Sequence, residues 1–250
     1  MTLQHAAHRA LGRHEVFQTG TMGALLDGIY DGDCTVEHLL TRGDFGVGTF
    51  NALDGEMLIL DGTCYRLSSD GTVGTVSPAQ LSPFAVVTRF EVHVSQSLDE
   101  PHSSEQLRDL IVALTPSDNY LYAYRISGDF DFVRTRTVAR QTMPYRRLVE
   151  VTKGEPVQVF PKVTGDIVGF RTPVFQQGIG IAGDHAHFID EDRTQGGHVL
   201  DFAVTRGTLE LCIGTDLHLE LPRTVAFERA DLDDDPQQMA SEVTATERHS

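Results

Sequence analysis

The sequence predicts an α+β (mixed α/β) protein built from two β-sheet-rich halves: a mixed sheet with helices in the N-terminal part and a mainly antiparallel sheet in the C-terminal part. Three observations predict it. In the first half, Met22-Leu25-Leu26-Ile29 and Leu107-Leu110-Ile111-Leu114 each place apolar residues on one helical face. Around them lie short apolar runs divided by Asp54-Gly55 and Asp61-Gly62, a strong hairpin signal. Beyond Gly154 strand-like runs alternate with glycine turns. Helices that come early and strands that dominate late exclude a regular βαβ winding.

The elements follow in order. A helix over Thr21 to Tyr30 is stopped by Gly28 and the Asp31-Gly32-Asp33 turn. A second runs from Thr35, whose hydroxyl can cap it, to Gly43. Phe45 to Asn51, Glu56 to Leu60 and Thr63 to Leu67 read as strands, and Phe84 to Val94 as one long strand. Ser103-x-x-Gln106 is a capping box for the helix carrying Leu107 to Leu114. Tyr120 to Ser127 and Phe132 to Val138 read as two strands around a Gly128-Asp129 turn, with Arg134 and Arg136 on one face of the second.

Met143-Pro144-Tyr145 leads toward a junction, placed near residue 153, that divides an N-terminal domain (1–153) from a strand-rich C-terminal one (154–250). The second holds strands over Val157 to Phe160, Asp166 to Phe170, Gly180 to Ile189, His198 to Thr205, Thr208 to Ile213 and Leu217 to Leu221. Gly165, Gly196-Gly197, Gly207 and Gly214 supply their turns. From Asp231 the chain is acidic and polar, with Met239 and Val243 at a helical spacing.

The 36 acidic and 20 basic residues leave a formal charge of −16, which argues against nucleic acid as a partner because such affinity comes from Lys and Arg displacing counterions. Of the basic residues only Lys153 and Lys162 are lysines. Cys34, Cys64 and Cys212 form neither a CxxC pair nor an even framework, which suggests a reducing compartment. The N-terminus lacks the apolar run of a signal peptide and no stretch reaches the roughly 18 apolar residues of a membrane span, so a cytoplasmic protein without a membrane partner is expected.

Gly183-Asp184-His185-Ala186-His187-Phe188 is the most informative stretch. On a strand, His185 and His187 face the same way, and His198, just past the Gly196-Gly197 turn, joins them if the two strands pair. Three neutral imidazoles are a common shell for Zn²⁺ or another borderline divalent metal, with a position left open for water or substrate. With 11 histidines in the chain, a chance grouping of surface or packed histidines remains open, and cupin-like barrels also use His-x-His. Gly178-Ile179-Gly180-Ile181-Ala182-Gly183 matches G-x-G-x-x-G, but a dinucleotide site needs a helix to open there, and the alternation that follows is a strand's.

Glu56 opens an apolar strand on the same face as Leu58 and Leu60. A carboxylate there is costly unless paired, which makes it a candidate acid or base; a solvated strand end is the alternative. Arg136 is either a fixed cation for a carboxylate substrate or one of an exposed Arg134, Arg136 and Arg140 set.

Several ordered motifs together resemble the α-acetolactate decarboxylases over nearly the whole length: Thr21-Met22-x-Ala24-Leu25-Leu26-Asp27-Gly28-x-Tyr30-Asp31-Gly32, Gly43-Asp44-Phe45-Gly46-x-Gly48-Thr49-Phe50, Leu53-Asp54-Gly55-Glu56-Met57, Asp61-Gly62, Arg134-Thr135-Arg136-Thr137-Val138 and Glu191-Asp192-Arg193-x-x-Gly196-Gly197-His198-Val199-Leu200. The resemblance implies a zinc-dependent lyase that converts 2-acetolactate to acetoin and CO₂ for acetoin and butanediol biosynthesis. It implies zinc ligands at His185, His187 and His198, an active-site glutamate at Glu56, an arginine beside the substrate at Arg136 and a pocket threonine at Thr49. It also implies a tail glutamate at the metal, matched best by Glu247, with Glu242 as competitor. A homodimer and no organic cofactor complete the expectation. In the implied mechanism a metal-chelated enediolate is protonated on one face. A cupin-like dioxygenase or isomerase and a metal-dependent sensor or storage module are the competing readings.

Overall fold

The computed structural model describes residues 12–232, 239, 241–243 and 246. Their elements run β1 (Glu15–Thr19), α1 (Met22–Leu26), β2 (Cys34–Thr35), α2 (Val36–Arg42), β3 (Phe45–Thr49), β4 (Glu56–Leu60), β5 (Thr63–Leu67), β6 (Val73–Thr75), β7 (Leu81–Ser82), β8 (Phe84–Thr88), β9 (Val94–Leu98) and β10 (His102–Ser103). Then follow α3 (Ser104–Leu114), β11 (Leu121–Arg136), α4 (Leu148–Val151), β12 (Val157–Thr172), β13 (Gly183–Asp190), β14 (Gly196–Gly214), β15 (Asp216–Glu220) and α5 (Val225–Arg229). The fold is mixed α+β.

Side-chain caps start the helices where the sequence places them. Thr35 Oγ1 accepts from the His38 amide at the head of α2, and the Ser103 and Gln106 side chains each accept from the other's amide at the head of α3. α1 stops at Leu26, before Ile29, because Gly28 turns left-handed at φ +83°.

Two sheets form the body. One has the order β15-β1-β8-β3-β4-β5-β6 and is mixed, since β1 runs parallel to β15 and antiparallel to β8. The other has the order β10-β14-β11-β12-β13, with β9 also on β14, and is antiparallel. Its ladder closes on itself where β13 pairs back to β14 through His187 and His198. Both sheets contribute to one buried cluster: Leu58 and Leu60 of β4 meet Val168 and Phe170 of β12 there. Met57 and Ile59 point the other way, into a cluster with Val36 and Leu39 of α2. With both faces of β4 buried, its sequence after Glu56 is continuously apolar rather than alternating.

Several expected boundaries shift. Phe84 to Val94 is two strands: β8 lies in the mixed sheet and β9 in the antiparallel one, so residues 89–93 carry the chain from one sheet to the other. The glycine turns expected at 128, 165 and 207 are absent, with β11, β12 and β14 each running through them, and Gly196 and Gly197 are not a turn but pair within β14 with Ile189 and Phe188. The division expected near residue 153 falls between β11 and β12, which pair with each other from Tyr122 with Arg171 to Arg136 with Val157. Among the described residues no helix is long and apolar enough to cross a membrane.

Candidate metal centre and pocket

His185 and His187 occupy alternate positions of β13, and the hairpin to β14 sets His198 opposite His187 as its register partner. Their coordinating nitrogens all lie within 4.8 Å of one another, and all three residues are buried. Burial, with the Arg136 charge adding to it, pushes the His185 imidazole down to about 3, and burial also holds His187 well below 6.5. Both rings are therefore neutral at physiological pH. His187 Nδ1 lies 2.7 Å from the carbonyl oxygen of Met57, which can only accept. The ring proton is fixed on Nδ1, and Nε2 is left as a bare lone pair, buried and without a hydrogen-bond partner. Converging neutral imidazoles with one such nitrogen fit a divalent cation.

The mixed sheet brings the carboxylate. Glu56 is register partner to Thr49, is 9% exposed, and its Oε2 lies 3.6 Å from His187 Nε2. Its face of β4 is the one shared with Leu58 and Leu60, so the side chain enters the space between the sheets. Thr49 lines the same pocket, with its hydroxyl proton donated to the carbonyl oxygen of Gly55 at 2.9 Å.

Arg136 ends β11 as the register partner of His198, so the strand order alone lays arginine, His198 and His187 side by side. It is 5% exposed; Nη1 donates to Glu155 Oε2 at 3.2 Å, Nη2 donates to the carbonyl oxygen of Thr246, and Nε has no hydrogen-bond partner. Arg134 and Arg140 do not join it. Arg134 does not line the pocket that Arg136 lines, and Arg140 is 70% exposed.

These residues line a small cavity of about 40 Å³. Glu56, Arg136, Thr49 and His185 supply polar groups, and Leu25, Leu53, Phe84, Val138, Leu148 and Ile181 supply an apolar wall. Gly178 to Gly183 lead into β13 rather than a helix, so the glycine-rich string frames no dinucleotide site.

Glu247 lies outside the described residues. Glu242 pairs with Arg147 Nη2 at 3.0 Å, and that arginine also holds Asp27 at 3.1 Å. Sequence reasoning missed Glu155 and Thr246. Neither stands in a local pattern, but Val157 pairs with Arg136, so knowledge of the β11–β12 register would have put Glu155 two residues away from that pair.

The family model of alpha-acetolactate decarboxylase matches residues 16–234. Alpha-acetolactate decarboxylase of Klebsiella aerogenes is 46% identical over 217 residues, 87% of this chain and 84% of its own, and that of Methylococcus capsulatus is 44% identical over 219 residues, 88% and 84%. A crystal structure of alpha-acetolactate decarboxylase from Bacillus subtilis strain 168 has a TM-score of 0.91 at 42% identity, covering 94% of this chain and 100% of that one. A Staphylococcus aureus protein described as similar to alpha-acetolactate decarboxylase has a TM-score of 0.88 at 30% identity, covering 93% and 99%. Together these matches show that the chain belongs to the alpha-acetolactate decarboxylase family.

Proposed function

We propose that this protein decarboxylates 2-acetolactate to acetoin, with His185, His187 and His198 holding a divalent metal, zinc in the first instance, and with no organic cofactor. One observation carries the reading: three buried imidazoles converge within 4.8 Å, at the edge of a pocket that also presents a glutamate and an arginine. Breaking the bond from the carboxyl carbon to C2 sends its electron pair onto the neighbouring ketone oxygen, so the substrate carries its own electron sink. A divalent cation at the three imidazoles would supply Lewis-acid stabilisation of that developing negative charge.

Arg136 orients the anionic substrate, because its buried Nε–H is a donor still to be satisfied at the pocket wall. The apolar wall from Leu25, Leu53, Phe84 and Ile181 receives the two methyl groups and keeps water from the carbanionic carbon. Glu56 then delivers a proton to C2 from one face, giving chiral acetoin; it stands on a buried strand, which fixes that face. Glu247 is retained as a second acidic group of the site. The reading includes a cytoplasmic homodimer, and a monomeric mass in sedimentation would remove that part.

The test is an acetoin assay on purified protein before and after chelation, with zinc added back. The reading expects activity to vanish on chelation and return with zinc. Full acetoin production after complete metal removal would overturn it.

A further inference from the structure

Arg136 and Glu155 form an ion pair at 3.2 Å with side chains 5% and 6% exposed. Water screens such a pair weakly, so the glutamate cancels much of the arginine's field inside the pocket. The pair also fixes geometry. Glu155 on Nη1 and the Thr246 carbonyl on Nη2 hold the guanidinium plane at two points, while the buried Nε has no hydrogen-bond partner.

That arrangement bears on a decarboxylation in a particular way. The substrate's carboxylate is anionic in the ground state, while the departing CO₂ is neutral. Any attraction to the carboxylate group itself is therefore lost as the bond breaks, and a strongly held carboxylate raises the barrier from the bound state. An arginine at full charge would bind the substrate tightly and slow its reaction. One whose charge is offset, but whose direction is fixed, orients the carboxylate without holding it back.

We propose that Glu155 is a positioning residue for this reaction, fixing the plane of Arg136 and offsetting its charge so that the carboxylate is oriented but weakly held. The inference rests on the reading of Arg136 given above. Two non-reacting probes separate charge from shape: 2-hydroxyisobutyrate, an anionic α-hydroxy acid without the ketone, and acetoin, which is neutral. Glu155→Gln keeps an acceptor of nearly the same shape and removes the charge.

In that variant the inhibition constant of 2-hydroxyisobutyrate and the KM of acetolactate are expected to fall about fivefold, kcat to fall at least as much, and acetoin inhibition to stay level. Glu155→Asp keeps the charge and loses the reach, so it should lower kcat without tightening the anion. Equal weakening of both probes in Glu155→Gln, or anion affinity unchanged in it, overturns the proposal. Tightening of the anion in Glu155→Asp overturns it too, and that arm stands if the Gln variant fails to fold. Arg136→Gln tests the underlying reading separately. If it leaves anion affinity intact, the role of Arg136 falls; if it abolishes that affinity while Glu155→Gln changes nothing, only the role of Glu155 falls.

Discussion

His187 and Met57 join the two sheets beside the histidine cluster: the imidazole Nδ1–H of β13 donates to the backbone carbonyl of β4 across 2.7 Å. A backbone acceptor does not titrate, so the ring keeps Nε2 bare whenever the sheets are packed. The same β4 presents Glu56 one residue earlier, on its opposite face, so one short strand both orients the His187 ring and sets a buried carboxylate beside it.

His198→Ala should abolish tight metal binding while leaving the ladder intact. Its backbone pairs with His187 and Arg136 regardless of side chain, so circular dichroism should be unchanged. Loss of a supporting partner already costs about 10–100-fold in metal affinity, and loss of a ligand should exceed that. Zinc titration calorimetry and metal content after dialysis check this; full zinc occupancy in the variant would contradict it.

Glu56→Gln removes the proton but keeps the size and strand position of the side chain. A rate loss of about 10²–10⁴ in kcat is expected for a general acid, with acetoin of eroded enantiomeric purity. Chiral chromatography of the product, beside the rate, makes the check. Full rate and full stereochemistry would remove Glu56 from proton delivery.

Local pattern made the short elements legible. β4 and β5 stand at their expected residues because Asp61 and Gly62 both adopt positive φ, 50° and 76°, as the Asp-Gly turn requires. Glu56, Arg136 and the three histidines could be named for the same reason, each standing in a short motif. Long strands were not legible, because glycine serves turns and close strand contacts alike. Gly128 pairs with Gly165 on one side and Gly207 on the other, a row of glycines across three neighbouring strands. A Cβ on Gly128 would lie 2.2 Å from the Arg206 carbonyl oxygen, and one on Gly207 2.3 Å from that of Ser127. The residues are small because backbones crowd there, and only the pairing of distant strands reveals it.

Gly128→Ala should therefore destabilise the fold without touching the pocket. The added methyl forces a backbone shift in β14, with a cost of about 1–3 kcal/mol. Guanidinium unfolding midpoints measure it, and kcat of the folded fraction should match the parent. An unchanged midpoint would mean that the row tolerates side chains.

Asp166 gives the fold a pH dependence of its own. Burial pushes its carboxyl up, but the Ser127 hydroxyl at 2.6 Å, Arg125 at 3.0 Å and Arg193 at 2.9 Å outweigh burial and hold it below the ordinary 3.8. A carboxyl depressed in the folded state stabilises at pH values above its unfolded pKa, and the contribution is lost as pH falls through the folded one. Asp166→Asn should thus cost on the order of 2 kcal/mol near neutrality, the range for hydrogen bonds to a charged group. The gap between parent and variant should stay constant down to about pH 5 and close below about pH 4, where the parent's carboxyl also gains its proton. Thermal unfolding of both proteins across that range reads the gap directly. A gap that persisted undiminished into acid would show that the loss came from packing rather than charge.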